Sequence, residues 1–323
     1  MMKFSLLAYL RNTMGQWWSD PMTVLADGMD SLPTAFCKKN EFGWNKNVEL
    51  SKNIKFGILV NAVKYTRDGV VVEGIKKGTN LKVSYQGDAV ILTLPLQILR
   101  QLNIPLSYEK KRVMSRILID SATKLALQCK TRFWQKDVDQ GGFTKTDLPI
   151  GHFVYPGWKN SGIKDKEPGI LLVYMRHKQA LSFGSVDEES SVKNAVRQIS
   201  EIHPEINKEF ETGRVHAWST YHYAQGSFSA LYPEDYMSSM EVMTTPTDRI
   251  YIASDTLSWA QSCCSWIQGS VFSALMQAFC FTHYNETNKV FSPVHLLNTS
   301  AIKQPTKIQR SGGVFFTNIS SRL

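Results

Sequence analysis

The chain has 323 residues, of which 43% are hydrophobic and 20% are charged, a balance that is typical of globular proteins and too apolar for a disordered chain. Its 37 basic and 28 acidic residues leave a net charge of +9, but no basic stripe with interleaved aromatic residues occurs, so no nucleic-acid partner is predicted. No apolar run of about 18 residues occurs, so no membrane span is predicted.

The five cysteines indicate a reducing compartment. Their number is odd and they form no C-x-x-C pair, which argues against a disulfide framework and against a structural zinc site, and no metal site is predicted. The adjacent Cys263 and Cys264 could be redox-active, but the pattern favours small buried thiols.

The first half of the chain is predicted to begin with a helical segment, residues 1–25, since residues 4–10 are apolar and no small-residue cleavage site follows them. Runs rich in Val, Ile and Leu then predict strands at residues 56–63, 70–73, 81–85 and 89–94, separated by turns. Residues 96–102 have helical spacing.

A further strand is predicted at residues 121–129, where two sets of side chains alternate. Lys124 points the same way as Ala122 and Ala126, whereas Leu125 and Leu127 point the other way. A lysine on a buried face would be costly without a partner, so either this face is exposed or the lysine has a function.

The second half mixes helices with strands. A helix is predicted at residues 188–202, a compact strand at 249–253 and an apolar helix at 266–279, followed by a polar, poorly ordered tail. Strands mixed with helices of this length predict an α/β or α+β protein.

Several motifs occur in a fixed order along the chain. They are DGMDSLPTAF at residues 27–36, DSATK at 120–124, FW at 133–134, GGFTKTDLP at 141–149, WS at 218–219, YAQGSF at 223–228, YIASD at 251–255, SWA at 258–260 and SWIQG at 265–269. In this order they resemble the flavin-containing amine oxidases, and most closely the L-amino-acid oxidases. The resemblance covers about residues 5–280.

The resemblance implies the two-domain fold of those enzymes, in the mixed α/β and α+β class. An FAD-binding domain would be built from residues 26–100 and 245–282, and a substrate domain with a mixed sheet from residues 101–244. The helical segment 1–25 and the tail 283–323 would lie outside both.

The resemblance also implies FAD as the cofactor and assigns residues to it. Val60 would bind the adenine through its backbone, Asp255 the sugar-like chain, and Ser265, Trp266 and Ile267 the flavin ring, at a helix N-terminus whose dipole favours negative charge. An ordinary core valine is the alternative for Val60.

Catalytic and substrate-binding roles follow in the same way. Lys124 would hold a water against the flavin N5, Trp266 would form a wall beside the ring, and Tyr223 and Gly226 would line the substrate site. The alternatives are an exposed strand face for Lys124 and an aromatic packed at a helix end for Trp266.

The sequence also departs from the family pattern. Asp27 and Ser254 stand where the family has glycine, and the turn before Trp266 is two residues longer. No G-x-G-x-x-G motif occurs in the 323 residues, so the FAD-binding domain is expected to lack its N-terminal dinucleotide-binding segment. The chain looks like the C-terminal three-fifths or so of such an enzyme.

Three functions remain open on this basis. The chain could be an oxidase that converts an amine or amino acid to an imine and releases hydrogen peroxide, a truncated non-catalytic remnant or binding module, or a subunit that completes its flavin site with a second chain. The last residues, Ser321-Arg322-Leu323, resemble the S-K-L peroxisomal signal and predict that organelle, with the cytoplasm as the alternative and secretion disfavoured.

Overall fold

The computed structural model describes residues 25, 28–38, 49–136, 141–156, 166–232, 235–258 and 266–287. Some predicted features therefore lie outside the described residues, namely nearly all of the segment 1–25, Asp27, Cys263, Cys264, Ser265, the tail beyond residue 287 and Ser321-Arg322-Leu323.

The described residues contain both helices and strands, which confirms the predicted mixed α/β and α+β class. The helices are α1 (Ser31–Cys37), α2 (Leu96–Leu99), α3 (Tyr108–Arg116), α4 (His177–Gly184), α5 (Glu188–Ser200), α6 (Ile206–Glu209), α7 (Asp235–Thr244) and α8 (Ile267–Thr287). The strands are β1 (Ile58–Tyr65), β2 (Val70–Lys76), β3 (Lys82–Gly87), β4 (Val90–Leu92), β5 (Leu118–Ile119), β6 (Ala122–Cys129), β7 (Gly142–Lys145), β8 (His152–Tyr155), β9 (Gly169–Arg176), β10 (Phe210–Ala217), β11 (Ser229–Ala230) and β12 (Ile250–Ile252). Short 3-10 helices cover Leu50–Asn53, Phe133–Lys136 and Asp255–Leu257.

Strands β1, β2 and β3 form an antiparallel sheet with β2 in the centre. The Thr66 amide donates to the Gly69 carbonyl at 2.9 Å and closes the predicted turn between β1 and β2. Strand β4 pairs instead with β12, in parallel, with Val90 opposite Ile250. This pairing brings together two stretches that are about 160 residues apart, a contact that no local pattern predicts.

A second sheet has the strand order β10-β6-β9-β8-β7, with antiparallel pairing throughout. Helices α4 and α5 pack on one face, where Leu125, Leu127 and Val173 are fully buried. Gly213 of β10 allows this packing, because a Cβ atom there would lie 2.9 Å from the Val192 side chain of α5. The other face of the sheet carries Lys124.

Two clusters of buried apolar side chains form the core. The first joins β1, β2, α3, α7 and β12, and the second joins β6, β9, α4 and α5. Helices α3 and α7 fall within the segment 101–244 that was assigned to the substrate domain, yet they pack in the first cluster. The domain boundaries therefore stay a prediction.

Helix α8 is longer than the sequence predicted. It ends at Thr287, whereas the apolar pattern predicted an end at residue 279 and a poorly ordered tail from residue 283. The apolar pattern fades near residue 281, but no Gly or Pro occurs between Gly269 and Pro293 to stop the helix. The prediction was wrong for residues 283–287 because polar residues are tolerated on an exposed helix surface.

Candidate flavin and substrate site

Lys124 lies in the middle of β6, on the face of the second sheet that points away from the core. The neighbouring Thr123 and Leu125 are buried while Lys124 is exposed, so the predicted alternation is confirmed. The described residues do not bury the lysine, which agrees with the alternative of an exposed strand face. Its role beside the flavin stays a prediction.

Several cationic and aromatic side chains surround Lys124. Its Cα atom lies opposite those of Tyr174 in β9 and His216 in β10, and its Nζ atom is 5.2 Å from the centroid of the Tyr174 ring. The Arg176 guanidinium lies 4.8 Å from the Tyr174 ring and 5.2 Å from the Phe228 ring. We call these five residues, Lys124, Tyr174, Arg176, His216 and Phe228, the cationic face.

The sequence patterns assign no role to Tyr174 or Arg176, because they do not predict β9. The alternation that is typical of a strand is present, since buried and less buried side chains alternate from Gly169 to Arg176. Apolar Ile170 and Leu172 lie among the outward residues, however, so hydrophobicity alone hides the alternation.

Asp255 begins a 3-10 turn directly after β12. The turn is fixed by the Leu257 amide, which donates to the Ser254 carbonyl at 3.1 Å, and by the Ser254 amide, which donates to the Ser273 hydroxyl of α8 at 3.2 Å. Burial raises the pKa of the Asp255 carboxyl, and the amides of Asp255 and Thr256 act against that rise. A carboxyl group at this end of a parallel strand occupies the usual ligand position in α/β sheets.

Trp266 directly precedes the first residue of α8 and is 37% exposed. Its carbonyl accepts the Ser270 amide at 3.1 Å, so its backbone already belongs to the first turn of the helix. Ile267 is exposed as well, and Ser265 lies outside the described residues. The helix start that was predicted to bind the flavin ring is therefore accessible at Trp266 and Ile267.

Tyr223 and Gly226 belong to the loop that precedes β11. Tyr223 is exposed, with the Lys77 ammonium 6.0 Å from its ring centroid. Gly226 has a φ of 156°, and a Cβ atom there would lie 2.2 Å from the Ile119 Cγ2 atom. The structure therefore gives Gly226 a packing role, and its contact with a substrate stays a prediction.

Val60 lies in β1, an outer strand of its sheet, opposite Gly74 and next to a register shift at residues 60–62. Its side chain is half-buried, so it is less enclosed than a core valine. An outer strand presents backbone groups along one side, which is what binding the adenine through the backbone requires. Among the described residues, no hydrogen bond, ion pair or ring contact joins Val60 to Asp255 or to Lys124.

Adjacent residues join the cationic face to the Asp255 turn. Phe228 contacts the Arg176 guanidinium, and the hydroxyl of the next residue, Ser229, hydrogen bonds to the hydroxyl of Thr256. Residues 228–229, within the predicted stretch 223–228 and just after it, thus contact both the cationic face and the Asp255 turn.

The residues around Asp255 fit part of an FAD molecule. The Ser254 hydroxyl is buried and has no hydrogen-bond partner among the described residues, and Ser254 directly precedes Asp255 in the chain. A chain of hydroxyl groups would supply partners for both. These groups fit the sugar-like chain, whereas no G-x-G-x-x-G turn occurs in the sequence to hold the phosphates.

The cysteines that the structure describes do not lie in environments that make a thiol reactive. Cys129 and Cys280 are buried free thiols and Cys37 is half-buried. Burial, with a smaller contribution from Glu209 and Glu211, raises the pKa of Cys129 to about 12, and burial raises that of Cys280 to about 11. These three residues agree with the interpretation of small packed thiols.

Neither a membrane span nor a metal site occurs among the described residues. None of their helices is long and apolar enough to cross a membrane. Groups of three or more side chains arranged to ligate a metal ion are likewise absent from that part of the chain.

Comparison with known proteins identifies relatives along most of the chain. YobN of Bacillus subtilis (strain 168), provisionally named an L-amino-acid oxidase, is 28% identical over 285 residues, which cover 86% of this chain and 56% of YobN. The L-amino-acid oxidase of Protobothrops flavoviridis is 28% identical over 261 residues, 79% of this chain and 48% of that protein. That of Crotalus adamanteus is 25% identical over 281 residues, 85% of this chain and 51% of that protein.

The chain thus spans about half the length of the curated relatives that it matches. The model of one family, the flavin containing amine oxidoreductases, matches residues 3–279. That match covers most of the chain, and the chain therefore belongs to the flavin-containing amine oxidoreductase family.

Proposed function

We propose that the chain forms the ring side of an FAD-dependent oxidase site for amines or L-amino acids. The observation that carries this proposal is the link between the cationic face and the Asp255 turn through Phe228 and Ser229. Lys124 lies on one side of this link and Asp255 on the other. The family resemblance assigns Lys124 to the flavin N5 atom and Asp255 to the sugar-like chain of the same FAD molecule. The names of the relatives as L-amino-acid oxidases and the flavin-containing family support it.

The chemistry of such a site is the oxidative deamination of an amine, which begins with breaking the C–H bond next to nitrogen. Bound FAD would supply the redox chemistry, in which a hydride leaves the α-carbon and dioxygen is reduced to hydrogen peroxide, and water would hydrolyse the imine to a carbonyl compound and ammonia. The residues of this chain would bind and orient the cofactor, the substrate and a water molecule. Lys124 would hold a water molecule on the sheet face, and Asp255 would accept hydrogen bonds from the hydroxyl groups of the sugar-like chain.

Other residues would complete the contacts. Trp266 would stand beside the ring, Ile267 would offer its amide at the start of α8, and Tyr223 and Gly226 would border the substrate. Val60 would contact the adenine through its backbone. These assignments rest on the family resemblance and on the accessibility of Trp266, Ile267 and Tyr223.

We also propose that residues other than these 323, in a further segment or in a second chain, bind the two phosphates of FAD. The reason is that no G-x-G-x-x-G turn occurs in the sequence. The same observation supports the second candidate function, a non-catalytic module that keeps the fold and binds no flavin.

Riboflavin binding tests the proposal, because riboflavin has the ring and the complete sugar-like chain without the diphosphate and the adenosine. The purified chain should quench riboflavin fluorescence, and Asp255→Ala should weaken binding about tenfold or more, since hydrogen bonds to a charged group contribute about 1.5–3 kcal/mol. Asp88→Ala removes an exposed carboxyl from a distant turn and should leave binding unchanged.

A second variant separates a binding defect from misfolding. Asp255→Asn keeps the shape and one acceptor oxygen, so it should bind with intermediate strength. A chain that binds no riboflavin, or whose Asp255→Ala variant binds riboflavin as tightly as the wild type, contradicts the proposed function and favours the non-catalytic module.

A further inference from the structure

Arg176 is an exposed cation whose position is fixed by two aromatic rings. Its guanidinium lies 4.8 Å from the centroid of the Tyr174 ring and 5.2 Å from that of Phe228. Among the described residues, no carboxylate forms an ion pair with it. Stacking on rings orients a guanidinium and leaves its N–H edge free for a planar anion.

The surroundings of Arg176 carry more positive than negative charge. Lys124 lies on the same face in the neighbouring strand β6, two residues after Ala122, whose Cα atom is opposite that of Arg176. In antiparallel sheets such diagonal neighbours have Cα atoms about 7–8 Å apart. His152 of β8 contacts the Tyr174 ring, and burial, then Arg176 and Lys145, lower the pKa of its imidazole. The effect of those two cations on His152 indicates a positive potential at this face.

Two carboxylates at the borders of this face already have partners. The Asp120 carboxylate lies 2.7 Å from the His177 Nδ1 atom and accepts the Ser121 amide at 2.8 Å. Glu188, beyond the edge strand β10, lies 3.4 Å from the Arg214 guanidinium. Two permanent cations, Lys124 and Arg176, therefore stand close together on a face to which no described carboxylate contributes an ion pair.

We propose that Arg176 binds the side-chain carboxylate of an acidic L-amino acid and makes the site selective for that substrate class. This inference rests on the proposed function, since it takes Lys124 to mark the position of the reacting α-carbon. A neutral amino acid carries no net charge at neutral pH, whereas an acidic one carries −1 and matches the excess of cations. The spacing of the two residues lets a side chain extend from the α-carbon near Lys124 to Arg176.

The test compares L-glutamate with L-glutamine, which have nearly the same shape and differ in the side-chain charge. Calorimetric titration of the chain should show L-glutamate binding about tenfold or more tightly than L-glutamine, because a bond between a carboxylate and a guanidinium is one of the stronger hydrogen bonds. Arg176→Ala should abolish that preference. Arg176→Lys should keep only part of it, since an ammonium lacks the planar fork.

Arg197→Ala is the matched control. Arg197 is an exposed arginine of α5, on the opposite side of the sheet, so the variant removes the same charge and should keep the preference for L-glutamate. Chain unfolding would be visible by circular dichroism.

Four results would overturn the proposal. They are no binding of L-glutamate by the wild type, equal binding of L-glutamate and L-glutamine, a preference that survives in Arg176→Ala, and an equal loss of both ligands in that variant, which would assign Arg176 to the α-carboxylate. The titration needs neither flavin nor dioxygen, so its outcome is separate from the riboflavin test of the proposed function.

Discussion

Lys110 of α3 is a buried ammonium group that does not belong to the predicted site. It is 3% exposed, and its Nζ atom donates to the Thr245 carbonyl just beyond the end of α7. A cation at this end of a helix is favoured by the helix dipole, but the loss of water costs more, and burial lowers the pKa of the lysine to about 8.

This lowered pKa predicts how stability changes with pH. The unfolded chain binds the Lys110 proton more tightly than the folded chain does, so the cost is fully present below pH 8 and disappears as the pH rises towards 10.5. Between pH 7 and pH 10 the wild type should therefore gain about 2 kcal/mol in free energy of unfolding relative to Lys110→Met. Urea unfolding of both proteins at the two pH values measures the difference.

The exposed neighbour Lys111 provides the control. Wild type and Lys111→Met should keep a constant difference in unfolding free energy across the same pH range. If Lys110→Met behaves like Lys111→Met, the lysine titrates with an ordinary pKa and this account of its burial is wrong.

Gly226 shows how one backbone position holds two elements together. The loop before β11 passes close to β5, with the Gly226 amide donating to the Trp218 carbonyl at 3.1 Å, and there is no room for a side chain beside Ile119. Its φ of 156° is a conformation that residues with a Cβ atom rarely adopt.

Gly226→Ala should therefore lower the free energy of unfolding by about 1–3 kcal/mol, from backbone strain together with the clash. Gly78→Ala is the matched comparison, since Gly78 also has a positive φ, 76°, but no atom lies within 4 Å of the added Cβ. Chemical denaturation should show the larger loss for Gly226→Ala. An equal loss in the two variants would mean that the clash with Ile119 contributes nothing.

Local patterns predicted the elements whose two faces differ. Strand β6 and helix α5 were predicted close to their observed bounds because buried apolar residues alternate there with polar ones at the spacing of a strand or a helix. Strand β9 was missed because its outward side also carries Ile170 and Leu172. Strand β10 was missed because Gly213, needed for the close approach of α5, interrupts its pattern.

The site could be predicted only in part for a related reason. Lys124 and Asp255 belong to motifs, so the family resemblance could assign roles to them, and those roles stay predictions. Arg176 and Phe228 are separated by about 50 residues, and their contact depends on strand pairing and loop geometry that no local pattern contains. The adjacency of the cationic face and the Asp255 turn is likewise a property of the folded chain.

At the scale of the whole molecule, the parallel pair β4-β12 forms only a two-stranded sheet within the described residues. Ile91 of β4 and Phe56, which precedes β1, are exposed, the latter by 86%. These exposed apolar side chains agree with our proposal that further residues complete the structure. Such a chain should purify colourless, without amino-acid-dependent peroxide production, until those residues are supplied.

On our proposal, this chain contacts the ring and the sugar-like chain of FAD but not its phosphates. Each hydrogen bond to a phosphate contributes about 1.5–3 kcal/mol, so a phosphate site with several such bonds would favour FAD over riboflavin by a few powers of ten.

The most direct test is the ratio of the dissociation constants of the purified chain for riboflavin and for FAD, measured by fluorescence titration under the same conditions. We predict weak binding of both, with FAD favoured by no more than about tenfold, since the adenine contact at Val60 adds only neutral backbone hydrogen bonds. Binding of FAD at least about a hundredfold more tightly than riboflavin, with near one flavin retained per chain, would reveal a phosphate site in this chain and rule out the proposed division of contacts.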